Sequence, residues 1–271
     1  MNKLKFPLLF IFGFAIYFLI DATTFSFLQK EITVASHSKI LGHVLAYTIT
    51  LIPLIITVMF LHKSTGSVTE KLGLSKGLFI GVIFAFVSTL PMLIAYLVNF
   101  SLNTKLSLDT ILINTISSAI FEEIIYRAFL FGMLYRFTRL GFMPSIFLGS
   151  LLFGIAHLYQ STDLNELIGI FLITFLGSVI FAWIYAEWNF NLWTAVFLHC
   201  LMNLYWLLFD VSSNSLGDTC ANIFRFSTLF IAISITIYYK RKNKIALEIN
   251  KKTWWMKRKA IIRHKQKACK D

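Results

Sequence analysis

Eight apolar stretches, roughly 6–28, 40–61, 78–98, 111–135, 144–160, 167–187, 190–209 and 223–239, make up most of this chain of 271 residues. Each approaches the ~17–25 residues an α-helix needs to cross the hydrocarbon core of a bilayer. A segment in lipid must satisfy its own backbone N–H and C=O groups, which leaves helices or closed barrels. Long runs without two-residue alternation select helices. Composition agrees: 57% of the residues are hydrophobic and 14% charged, against about 25% charged in a soluble domain. The fold class is therefore all-α: a polytopic membrane protein of about eight transmembrane helices, with residues 1–239 as the bundle.

The connectors are short and carry the turn residues, among them STDLNE at 161–166 and SSNSLGD at 212–218. Glu187-Trp188-Asn189 joins two spans so tightly that it predicts an antiparallel helical hairpin. Lys3 and Lys5 ahead of Phe6 resemble the start of a signal peptide, but no small-x-small cleavage site follows, so an uncleaved first span is expected. With the N-terminus inside, the inner segments hold Lys3, Lys5, Lys63, Lys71, Lys76, Arg136 and Arg139, against Lys30, Lys39, Lys105 and Arg225 outside. This bias predicts a multi-pass protein of the cell membrane with both termini cytoplasmic.

The net charge of +12 is concentrated after the last span, where residues 240–271 hold thirteen Lys or Arg against Glu248 and Asp271. Beside a membrane span, such a basic cytoplasmic tail reads as a contact for anionic lipids, and Trp254 and Trp255 favour a position at the interface. Nucleic acid is not the expected partner. Cys200, Cys220 and Cys269 form no CxxC pair, and no disulfide is expected.

Within the spans, ionisable residues are few and costly. They are Glu122, Glu123 and Arg127 in the fourth, His157 in the fifth and His199 in the seventh, with His43 and Asp21 nearer the N-terminus. In the segment FEEIIYR, Glu123 and Arg127 stand four residues apart with the acid first, so they can pair on one helix face. Glu122 is turned about 100° from Glu123 and is less well placed for Arg127. One carboxylate thus reads as paired and supporting, and its neighbour as free for chemistry. Phe153 with His157, and His199 with Asn203, share faces in the same way.

A glutamate, two histidines and an asparagine on three helices can supply a base, a water-positioning imidazole and oxyanion donors. The set Glu122, His157 and His199 also has the ligand types of a divalent metal such as zinc, so metal-bound and metal-free chemistry both stay open. The sequence has no HExxH, no GxSxG, no GxGD-type aspartate pair and no glycine-flanked serine of the rhomboid kind. A transporter would be expected to show paired Gly/Pro-interrupted spans, and none is present.

In order along the chain, Glu122-Glu123-x-x-x-Arg127, Phe153-x-x-x-His157 and His199-x-x-x-Asn203 resemble the three motifs of the CPBP family of CAAX proteases and bacteriocin-processing (Abi) proteins. The resemblance covers about 111–209 and implies a CAAX-protease-like bundle. It implies that Glu122 is the base that activates water, that His157 helps hold that water or a metal, and that His199 and Asn203 stabilise the oxyanion. Glu123, Arg127 and Phe153 would support them. The implied function is intramembrane hydrolysis of a membrane-associated peptide or protein. The alternative is a non-catalytic immunity or regulatory protein of the same family, acting against a bacteriocin or on a membrane partner.

Overall fold

The computed structural model describes residues 5–62 and 68–257, so Lys3, Lys63, Cys269 and the tail beyond 257 lie outside the described residues. The described helices are α1 (Lys5–Ser36), α2 (Lys39–His62), the short α3 (Val68–Leu72), α4 (Leu78–Asn99), α5 (108–137), α6 (Phe142–Ala156), α7 (Leu164–Glu187), α8 (Leu192–Leu208) and α9 (Thr219–Lys242). All eight expected apolar segments are helical. Six are long and apolar enough to cross a membrane by themselves: α1, α2, α4, α6 with its following turn, α7 and α9. The other two are α8, at 17 residues, and α5, in which α-helical and π-helical turns alternate. The protein is an all-α multi-pass membrane protein.

Local chemistry sets the ends. Ser38 accepts from Leu41 N at the start of α2, Asp163 from Asn165 N and Glu166 N at α7, Asn191 from Trp193 N at α8, and Asp218 from Ala221 N at α9. Each side chain satisfies amide donors that a helix start leaves open. The first helix runs to Ser36, past its expected end near residue 28. Thr23 and Thr24 do not stop it because their hydroxyls donate back to the carbonyls of Leu19 and Ile20, each at 2.7 Å. The hairpin expected at 187–189 is present, with Asn189 and Phe190 in the left-handed region at φ 55° and 56°.

Helix α5 is the central pillar. Ile125, Ala128, Phe129, Leu130, Phe131 and Met133 are buried on it. Phe10 of α1 stacks on Phe129 at 5.0 Å, and Phe142 of α6 meets Phe131 edge-on at 5.5 Å. Its π-helical stretches are Leu112–Ser117 and Glu123–Met133, a form that bonds i→i+5 and recurs at functional sites. On the other side α4 packs against α8 and α9. Gly81 permits that approach, since a Cβ there would lie 2.6 Å from the Trp193 backbone. Side chains such as Leu8, Ile11, Phe12, Phe79 and Phe230 point outward, as expected where the surrounding solvent is lipid.

The segment that follows α9 packs on the bundle. α9 continues to Lys242, and residues 245–257 fold back on the bundle instead of trailing as a basic tail. Glu187, at the end of α7, is the reason. It pairs with Lys240 and accepts from the amides of Glu248 and Ile249 at 2.9 and 2.8 Å. Beyond it, the carbonyls of Trp255, Thr253 and Trp254 accept from Gly141, Phe142 and Met143 at the start of α6. Lys257, expected to face lipid, sits buried over the Tyr135 ring at 4.1 Å. Lys251, Lys252, Trp254 and Trp255 remain exposed. Arg225, counted by composition in an outer connector, is buried inside α9 because that helix starts at Thr219.

Replacing Glu187 strands Lys240 and removes the acceptor for the Glu248 and Ile249 amides. Glu187→Ala is expected to destabilise the protein by about 3–5 kcal/mol and to expose 243–257 to limited proteolysis. Thermal unfolding in detergent and mapping of the cut sites check both effects.

Candidate active site

The FEEIIYR segment lies where α5 turns π-helical, and there its two glutamates separate. Glu123 has a side chain 0% exposed, and its Oε2 lies 3.1 Å from Arg127 Nε. The guanidinium is held between the rings of Phe153 and Phe181, at 4.2 and 5.4 Å from their centroids. The expected Glu123–Arg127 pair is therefore formed. Glu123 also does something its spacing did not announce. Its second oxygen, Oε1, lies 2.9 Å from His199 Nδ1, so one buried carboxylate ties α5 to α8.

Glu122 is the more accessible of the two, with a side chain 21% exposed. Its Oε2 is buried with no hydrogen-bond partner among the described residues and lies 3.9 Å from His199 Nε2. The His199 ring thus stands between two carboxylates, fixed through Nδ1 by Glu123 and turned through Nε2 toward Glu122. With Nδ1–H donating to a carboxylate, the neutral ring keeps its lone pair on Nε2, and the protonated ring donates from both nitrogens.

His157 closes α6, and its Nδ1 lies 2.7 Å from the Phe153 carbonyl. Donation to that carbonyl leaves Nε2 as an acceptor. Asn203 donates one amide hydrogen to the Asn114 carbonyl at 3.1 Å, which leaves the other available. Arg127, Phe153, His157, His199 and Asn203 all line one cavity of about 170 Å³. Glu122 and Glu123 are not among its lining residues and meet it through His199.

Among the described residues, no three His, Cys, Asp or Glu side chains come together closely enough to hold a metal ion. Glu122, His157 and His199 are therefore not grouped as a three-residue ligand set. His43 is accounted for differently: its Nδ1 lies 2.9 Å from Ser117 Oγ, and its ring packs on Tyr47. The cavity also contains residues that no motif pointed to, Trp206, Ser215 and Arg225. Their signal was a lone arginine at the edge of an apolar run. On the cavity wall, Gly177 of α7 faces open space, since a Cβ there meets nothing within 4 Å.

A multi-pass helical membrane protein with a buried Glu–Arg–His network is the class that the fold and this site define. Within it, residues 104–205 match the family model described as "Type II CAAX prenyl endopeptidase Rce1-like". The resemblance to the CPBP family is thereby borne out over the segment that carries the three motifs. The chain is also 36% identical over 110 residues to the Bacillus subtilis (strain 168) protein named "Putative membrane peptidase YdiL". That match covers 38% of this chain and 41% of the relative's length. No solved structure matches the chain.

Arg127→Ala would leave the Glu123 carboxylate buried with only His199 as a partner. The expected cost is about 3–5 kcal/mol, read as a lower unfolding midpoint in detergent. A variant as stable as the parent would contradict the pairing.

Proposed function

We propose that this protein is an intramembrane endopeptidase that hydrolyses a peptide bond in a membrane-associated peptide by water activated at Glu122. The observation that carries the reading is the unpartnered Glu122 oxygen set opposite a histidine whose far nitrogen is pinned by a second carboxylate. A base, an imidazole and a group that orients the imidazole form the arrangement expected of proton-transfer catalysis.

In this reading Glu122 takes a proton from water, and the resulting hydroxide attacks the scissile carbonyl. His157 Nε2 accepts the water's other hydrogen and fixes its direction. The free amide hydrogen of Asn203 and protonated His199 donate to the oxyanion. The C–N bond then breaks as Glu122 passes its proton to the leaving amine. Glu123 and Arg127 hold His199 in place throughout, and Phe153 supports the Arg127 plane. Peptide or protein at the membrane is the substrate, with access to the cavity beside Gly177. Exposed Lys251, Lys252 and Trp255 on the folded-back segment are the surface that meets anionic headgroups on the cytoplasmic side.

Comparison of Glu122→Ala with Glu123→Ala tests the division of labour. Glu122→Ala is expected to keep its unfolding midpoint and lose about 10²–10⁴-fold in peptide hydrolysis. Glu123→Ala is expected to lose stability as well, because it frees both Arg127 and His199. Full hydrolysis by purified Glu122→Ala protein would overturn the assignment of Glu122 as the base, whereas no hydrolysis by the folded parent protein would leave the non-catalytic reading. Asn203→Ala is expected to lower kcat by about 10²–10³-fold with little change in KM, as for removal of one oxyanion donor.

A further inference from the structure

The cavity has a second polar end that the proposed hydrolysis does not use. Arg225 of α9 is 8% exposed, and its guanidinium lies over the Trp206 ring at 4.1 Å. Its Nη1 donates to the Ser215 carbonyl at 2.8 Å. Ser215 Oγ is buried beside it with no hydrogen-bond partner among the described residues. Arg225 and Ser215 both line the cavity that contains His157, His199 and Asn203.

Charge separates this arginine from the other one on the cavity wall. Arg127 is neutralised by Glu123, whereas no carboxylate among the described residues lies within 4.0 Å of Arg225. A carbonyl and an aromatic face stabilise a guanidinium without cancelling its charge. A buried cation without a counterion is costly in a membrane protein and marks a place where an anion is received. Between the two ends the wall is apolar, with Met92, Ile180, Phe181, Met202 and Leu229. A ligand that fits has an apolar body and one negative group.

We infer that Arg225 and Ser215 form a carboxylate-recognising end of the cavity, so that this protein selects apolar peptides bearing an acidic group. The inference rests on the peptidase reading above and names its substrate class. The group is an Asp or Glu side chain or a free C-terminus, since all present the same planar oxygen pair to the guanidinium. Arg225 lies on α9, outside the 104–205 segment matched by the family model, so the selectivity would belong to a helix beyond that segment.

The test is binding to the full chain carrying Glu122→Gln in neutral detergent, which holds peptide without cutting it. Three labelled apolar peptides of one sequence are compared: a C-terminal acid, its amide, and the amide with an internal glutamate. Either acid form is expected to bind about tenfold tighter than the neutral amide. Arg225→Gln should erase that difference, and Ser215→Ala should reduce it. Should Arg225→Gln fail to fold, Arg225→Lys and Ser215→Ala carry the test. The tighter of the two acid peptides identifies the source of the carboxylate. Equal binding of all three peptides, or a preference that survives Arg225→Gln, overturns the inference. So does Arg225-dependent binding of phosphatidylglycerol vesicles with no preference among the peptides, which would assign the arginine to a lipid headgroup. Because binding is read without the Glu122 carboxylate, failure of the parent protein to cleave any peptide counts against the peptidase reading alone.

Discussion

One buried carboxylate holds the centre of this molecule. Glu123, fully enclosed, binds Arg127 through one oxygen and His199 through the other. The first contact stays within α5, and the second crosses to α8. Through Arg127 the network also reaches Phe153 of α6 and Phe181 of α7. Four helices are thus registered around a single carboxyl group. In lipid this is demanding, because no water is at hand to rescue an unpaired partner. The same demand makes the arrangement rigid and keeps His199 facing Glu122.

The two adjacent glutamates show how neighbours can be given different roles by their surroundings. They share a helix and differ by one residue, yet one has two partners and the other an unpartnered oxygen beside an imidazole. The π-helical backbone that begins at Glu123 sets the turn on which this happens. A widened turn also fits the enrichment of such stretches where side chains must be aimed rather than merely packed.

Much of the fold was legible because lipid imposes a length on every span. The apolar runs located eight helical segments, six of them long and apolar enough to cross a membrane by themselves, while the capping side chains Ser38, Asp163, Asn191 and Asp218 came from the structure. Spacing alone also foresaw the Glu123–Arg127 pair. What spacing could not provide was the second partner of Glu123, since His199 is 76 residues away and periodicity does not say which helix faces which. Two lysines of the basic segment were unreadable for the same reason. Lys240 and Lys257 were counted with the rest of 240–271 because Glu187 and Tyr135, which receive them, are distant in sequence. Arg225 looked like a loop charge because polar residues hid the first turns of α9.

The folded-back segment has a consequence for how the protein is made. The opening amides of α6 at Gly141, Phe142 and Met143 find their acceptors on residues 253–255. A chain emerging from the ribosome inserts α6 long before those acceptors exist. Until then, the helix that ends in His157 begins with open donors at the membrane surface, where water can serve them. Synthesis of residues 253–255 replaces that water with protein, so a segment made well after α6 completes the start of that helix.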